Sequence, residues 1–190
     1  MKTKFMAVTG PSGVGKTTII RELLRQDQRF VQIKTYATRP LRPGETDRFS
    51  LPLPELEAMH KRGEVLQPRP IYGGSYFAAL PWTPIRAAFA EGKFPVCNYT
   101  VLSIKDLGQE LGSAPFCVYI MPPDFDTIIM RLERDGRKPD PFRMEEDKQE
   151  IGELETRYKE QVSFKIVNEE GKISEVAEEI CKAYLRTIEL

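Results

Sequence analysis

The chain has 190 residues, 41% hydrophobic and 29% charged, and its 28 basic and 28 acidic side chains cancel. That size and balance describe one soluble globule and exclude a disordered chain, and no apolar run approaches the ~20 residues that cross a bilayer. The charge is nevertheless uneven: residues 145–190 hold thirteen Asp/Glu against seven Lys/Arg. This acidic stretch reads as the solvated face of polar helices. The basic excess upstream suits small phosphorylated ligands and not nucleic acid, because no continuous basic stripe accompanies it.

Short apolar runs alternate with helical periodicity along the chain. Lys4–Thr9 reads as a buried first strand rather than a signal peptide, so a cytoplasmic protein with no membrane segment is expected. Lys16–Arg25 reads as a helix with Ile19, Ile20, Leu23 and Leu24 on one side, and Val31–Thr35 as a second strand. Residues 36–54 hold four prolines and read as loop or irregular sheet. A short helix at Glu55–Arg62 closes at Gly63, and two short strands follow within Glu64–Ala79. Next come a helix at Pro84–Glu91 and strands at Phe94–Tyr99 and Phe116–Met121. Asp124 can cap a helix at Asp124–Arg134, and Arg137–Pro141 is a polar break. A polar helix at Phe142–Gln161, a strand at Phe164–Asn168 and a helix at Ile173–Thr187 complete the chain.

This alternation predicts an α/β fold, a parallel sheet flanked by helices on both faces. The link between the second and third core strands is too long for a plain crossover. The expected organisation is therefore one domain, with a core of 1–35 and 81–190, an inserted subdomain at about 36–80 and a small lid at about 135–142.

Gly10-Pro11-Ser12-Gly13-Val14-Gly15-Lys16-Thr17 fits G-x-x-x-x-G-K-[ST] and lies between a strand and a helix. Glycines let the backbone approach a ligand closely, and successive N–H groups can then cradle phosphate oxygens at a helix N-terminus. Lys16 is placed for the β and γ phosphates and Thr17 for a Mg²⁺ ligand oxygen, so a nucleoside triphosphate and Mg²⁺ are the expected companions. Such a loop serves kinases, switches and motors alike. Further on, Arg39 and Arg42 lie three residues apart on a proline-stiffened loop, a pair of planar donors suited to one phosphate group.

Taken together, these segments resemble the guanylate kinase family. Gly-Pro-Ser-Gly-Val-Gly-Lys is that family's form of the loop, and Thr38-Arg39-x-x-Arg42-x-Gly44-Glu45 matches its T-R-x-x-R-x-G-E signature. Tyr76 after Gly73-Gly74, Met121-Pro122-Pro123, Arg131-Leu132, Arg143-Met144 with Glu150, and Val167-Asn168 follow in the family's order. The resemblance implies a P-loop NTPase fold with an acceptor-binding insert and a lid. It implies that Thr35, Arg39, Arg42 and Tyr76 bind the acceptor phosphate, with Glu45, Gln67 and Asn98 completing that side. Arg131, Arg137 and Arg143 would reach the transferring phosphoryl group with Lys16. Thr18 would join the loop at ATP, and Asn168 would lie beside the adenine. The implied partner is a small nucleotide, bound by a monomer or homodimer.

Departures from the family pattern fall on the base. The guanine-reading glutamate is replaced by Gln67, a serine by Ala78, and two strand-end aspartates by Asn98 and Thr100, while Phe49 stands near an expected tyrosine. Losing carboxylate acceptors removes charge-assisted bonds to guanine's N–H groups, so weaker guanine selectivity is expected. Two other readings are a kinase acting on a sugar phosphate such as ribose 1,5-bisphosphate and a non-catalytic binding module. The intact Gly15-Lys16-Thr17 opposes the second. Cys97, Cys117 and Cys181 form no C-x-x-C pair and read as structural thiols. His60, the single histidine, reads as a packing or solvated residue. Of Tyr72, Tyr76 and Phe77, only Tyr76 is assigned to the site, the other two to the core.

Overall fold

In the computed structural model, which describes residues 3–188, two sheets carry the chain. The core sheet holds β1 (Met6–Thr9), β2 (Phe30–Gln32), β7 (Phe94–Asn98), β8 (Phe116–Met121) and β9 (Phe164–Val167). Its order is β2-β7-β1-β8-β9 and every pairing is parallel. Side-chain alternation assigns its two faces. Met6 and Val8 with Phe116, Val118 and Ile120 point to one side, where α1 (Lys16–Gln26) and α7 (Ile173–Ile188) cover them. Phe5, Ala7, Cys97, Cys117 and Tyr119 point to the other, beneath α3 (Trp82–Ala90), α4 (Ile104–Leu111) and α6 (Pro141–Gly152). Burying both faces fits an all-parallel sheet, whose strands read as continuous apolar runs.

The second sheet contains β3 (Thr35–Ala37), β4 (Arg48–Ser50), β5 (Arg69–Ile71) and β6 (Tyr76–Ala79) in the order β4-β3-β6-β5. Its back packs on α2 (Leu53–Lys61) through Tyr36, Leu56 and Phe77. Thr35, read as the end of a core strand, belongs instead to this second sheet: after Gln32 the chain leaves β7, and Thr35 pairs with Arg48.

Two further differences have local causes. A helix forms at Ile104–Leu111 where none is read from the sequence. The parallel crossover from β7 to β8 demands such an element, and Ile104 and Leu107 bury one side of it. The long helix expected to reach Gln161 ends at Gly152, after which the chain folds in turns that bury Leu154 and Tyr158. The remaining helix, α5 (Phe125–Arg134), is capped by Asp124, whose Oδ1 accepts from Thr127 N–H at 2.7 Å. No helix of the described residues is long and apolar enough to cross a membrane. His60 packs with its Nδ1 3.2 Å from the Val65 carbonyl oxygen. Cys97 and Cys117 are buried free thiols, and Cys181 is half-buried.

Candidate active site

The β1–α1 turn builds the floor of a cleft of about 520 Å³. Two of its glycines are sterically required. Gly10 adopts φ +129°, and a Cβ there would sit 2.4 Å from the Ile120 carbonyl oxygen. Gly15 adopts φ +103° at the N-cap of α1, where a Cβ would meet Asn168 Nδ2 at 2.5 Å. The first turn of α1 has no side-chain cap and no acidic residue, which leaves its amides to an anion. Gly10, Ser12, Gly13, Gly15, Lys16, Thr17 and Thr18 line the cleft. Pro11 and Val14, expected with them, are buried and contribute backbone only.

Lys16 Nζ donates to the carbonyl oxygens of Gly10 at 2.6 Å and Pro11 at 2.7 Å. Burial lowers its pKa to about 8, against the opposing pull of Asp147 and Glu150. Asp147 is a site residue that the sequence reading missed. Its Oδ2 accepts the Ser12 N–H at 3.0 Å, in the loop where a phosphate oxygen is expected, and the residue is only 5% exposed. Burial raises its pKa despite that bond and Lys16. One turn on, Glu150 accepts from the Tyr119 hydroxyl at 2.7 Å, and burial raises its pKa too. Arg143, Asp147, Glu150 and Leu154 follow helical spacing, the signal that would have found Asp147 within an acidic run. The acidic segment is accordingly not all solvated, since Asp147 is buried and Glu146, Glu150 and Glu153 are half-buried where they line the cleft, whereas Glu169 and Glu170 on its rim are exposed.

The predicted arginines divide by environment. Arg137 lines the cleft, and burial of Arg42, followed by the charges of Arg137 and Arg39, lowers the pKa of Arg42. Arg131 is 8% exposed and props up the loop, donating to the carbonyl oxygens of Val14 at 3.3 Å and Asn168 at 2.9 Å. Arg143, expected at the transferring group, instead pairs with Asp140 at 3.4 Å and stacks 4.7 Å from the Tyr72 ring centroid. Asn168 is also a prop, donating from Nδ2 to the Val14 carbonyl at 2.8 Å, while its buried Oδ1 has no protein partner.

The facing wall is the second sheet. Register and pleat place Thr35, Arg48, Arg69, Ile71, Tyr76 and Ala78 on one side, and all six line the cleft. Arg39 and Arg42 join them from the loop after β3. Glu45 organises this corner without lining it: it receives Arg39 through both oxygens and the Arg42 N–H at 3.0 Å, and it forms an ion pair with Arg48, 2.9 Å from Nε. Burial alone would raise its carboxyl, but the bonds from Arg39 and Arg42 hold it down at about 2. Asn98, Tyr99 and Thr100 close the cleft from the end of β7.

Two expectations fail on this wall. Gln67 is exposed and does not line the cleft, because β5 begins beyond it and its N–H is tied to Glu110 at 2.9 Å. Tyr72 is not core. It sits at the sheet's tip with φ +48°, and its hydroxyl lies 2.7 Å from Ser12 Oγ, across the cleft. Phe77 packs beneath the sheet as expected, and Tyr76 faces the cleft.

The model of the guanylate kinase family matches residues 2–187. A guanylate kinase of Bdellovibrio bacteriovorus is 27% identical over 173 residues, spanning 89% of this chain and 90% of its own. Another, from Nocardia farcinica, is 31% identical over 139 residues, 71% of each chain. In fold, the crystal structure of guanylate kinase from Anaplasma phagocytophilum matches with a TM-score of 0.75 at 19% identity, over 97% of this chain and 86% of that one.

Proposed function

The chain belongs to the guanylate kinase family and is a nucleoside monophosphate kinase, and from that premise we propose that it transfers the γ-phosphoryl group of ATP to a phosphate oxygen of GMP. The observation that carries this reading is the cleft itself. A phosphate loop opening from the core sheet and an arginine pair from the second sheet line one space.

The acceptor phosphate is already anionic at neutral pH, so the rate gain rests on positioning and charge neutralisation, not on a strong base. The loop amides and Lys16 hold the triphosphate once Asp147 yields the Ser12 N–H. Arg39, Arg42, Thr35 and Tyr76 hold the acceptor phosphate, and Glu45 keeps Arg39 aimed. Arg137 faces Arg42 across the gap that the moving phosphoryl group must cross, where their mutual repulsion is relieved by an anion. Arg131 and Arg143 join when the segment at 135–142 closes. Closure also excludes water, which would otherwise hydrolyse ATP.

Mg²⁺ fits a site that Thr17 opens on the cleft, because this cation keeps several waters and binds mainly through substrate phosphates. Bound there, it supplies charge neutralisation at the β and γ phosphates. Among the described residues no cluster of three His, Cys, Asp or Glu could hold a metal alone, so the ion would arrive with its nucleotide. We place the enzyme in the cytoplasm, where reduced thiols persist.

The test is a coupled assay of ADP release from Mg-ATP across GMP, dGMP, AMP, UMP, CMP, dTMP and ribose 1,5-bisphosphate. Turnover with GMP is expected. Lys16→Ala should abolish it while the circular dichroism spectrum stays unchanged. ADP release dependent on the sugar bisphosphate alone, or none with any acceptor, would overturn the proposal.

A further inference from the structure

Acidity is segregated across the cleft. Every Asp or Glu that lines it lies within residues 135–170, on the side of α5, α6 and β9. The opposite wall and the end of β7 contribute arginines, Thr35, Asn98, Tyr99 and Thr100, but no carboxylate. A guanine base carries two kinds of edge. N1–H and the 2-amino group donate, whereas O6 and N7 accept. The donating edge pairs most strongly with a carboxylate, which this wall does not offer; with Gln67 outside and Ala78 lacking a hydroxyl, only neutral acceptors such as Thr35, Asn98 and Thr100 remain for it. The accepting edge needs donors, and the wall is built of them.

Arg69 is the donor best placed for that task. It stands directly opposite Ala78 in the β5–β6 register, so both share the cleft face and the small alanine leaves the guanidinium uncovered. Two carboxylates on α4 fix it, Asp106 at 3.2 Å from Nη1 and Glu110 at 2.8 Å from Nη2. A guanidinium has five N–H donors, so two such pairings leave others free. Its Nε is buried and has no partner. The Nε atoms of Arg39 and Arg48 on the same wall are also buried without a hydrogen-bond partner, so what sets Arg69 apart is its place opposite the small Ala78.

Resting on the GMP reading above, we infer that Arg69 is a specificity-determining residue that donates to the O6/N7 edge of the acceptor base, leaving guanine's 2-amino group without a charged partner. The site then selects 6-oxopurines. Adenine is rejected because it turns an amino donor toward a guanidinium donor, whereas inosine, which lacks only the 2-amino group, is accepted.

The experiment measures kcat/KM for GMP, IMP, 7-deaza-GMP and AMP in the wild-type enzyme and in Arg69→Lys. That variant keeps the charge that pairs with Asp106 and Glu110 but loses the planar donors. IMP should fall within about fivefold of GMP, and 7-deaza-GMP, with carbon in place of N7, should be about tenfold worse. In Arg69→Lys the gap between GMP and 7-deaza-GMP should close to within about threefold while KM for ATP is unchanged. A simple structural role would lower both acceptors alike and leave the gap. An IMP deficit beyond about fivefold, a wild-type gap between GMP and 7-deaza-GMP under about threefold, or a gap that persists in the variant overturns the inference. Should Arg69→Lys fail to fold, the wild-type analogue series decides alone. Absence of any turnover with GMP would instead refute the kinase assignment, a separate result.

Discussion

Lys16 occupies two electrostatic environments in the catalytic cycle. Burial holds its pKa at about 8, below the 10.5 of a free lysine. Between pH 8 and 10.5 the unfolded chain binds more protons at this site than the folded one, so the contribution of Lys16 to stability rises with pH through that window. A bound triphosphate reverses the local balance, because an adjacent anion favours the ammonium. ATP binding near pH 8 should therefore take up about half a proton, visible by calorimetry in two buffers of different ionisation enthalpy. The uptake should vanish in Lys16→Met. Asp147 acts on the same cradle with the opposite charge. Because its carboxylate already holds the Ser12 N–H, Asp147→Ala should tighten ATP binding by roughly threefold to tenfold, read as a lower Kd. Unchanged or weaker binding would show that Asp147 supports the loop rather than competing with its ligand.

At the scale of elements, the tip between β5 and β6 links the two sheets across the cleft. Tyr72 reaches Ser12 of the loop at 2.7 Å, its ring lies under Arg143, and a Cβ on neighbouring Gly73 would be 3.2 Å from Phe142. The acceptor wall thus touches both the phosphate loop and α6. A hydrogen bond of this kind is worth about 0.5–1.5 kcal/mol net. Tyr72→Phe keeps the ring and loses the hydroxyl. Amide exchange should accelerate at residues 69–79 and stay unchanged in β1 and β8, measured by hydrogen–deuterium exchange. Uniform acceleration would mean that the tip and the core open together.

The whole molecule rests on the core sheet, and its largest single ring cluster is remote from the cleft. Tyr184 of α7 packs on Phe30, Phe94 and Phe116, and its hydroxyl donates to the Lys4 carbonyl at 2.7 Å. Ile180, fully buried one turn earlier, belongs to the same cluster. Ile180→Ala should cost about 2–5 kcal/mol in urea unfolding through lost burial and a residual cavity. KM for GMP should not change, because the acceptor wall belongs to the other sheet. A large KM effect would reveal coupling between the two sheets.

The sequence alone determined the parallel core and the phosphate loop. Both are written locally, as apolar runs of strand length and as glycines whose backbone angles few other residues adopt. It also identified Arg39 and Arg42 through their spacing. Only the tertiary structure decided which charges meet. The sequence does not reveal that Arg131 and Asn168 brace Val14, that Gln67 stands outside the cleft, or that Tyr72 crosses it. Asp147 was hidden in a run of acids because a carboxylate becomes part of a site only when packing strips its water and sets a loop amide against it. The same holds for Arg69, whose place opposite Ala78 depends on the register of two strands separated by a turn. Periodicity marks the helix face that carries Asp147 and the strands that carry Arg69, but which groups those side chains meet is an outcome of chain packing.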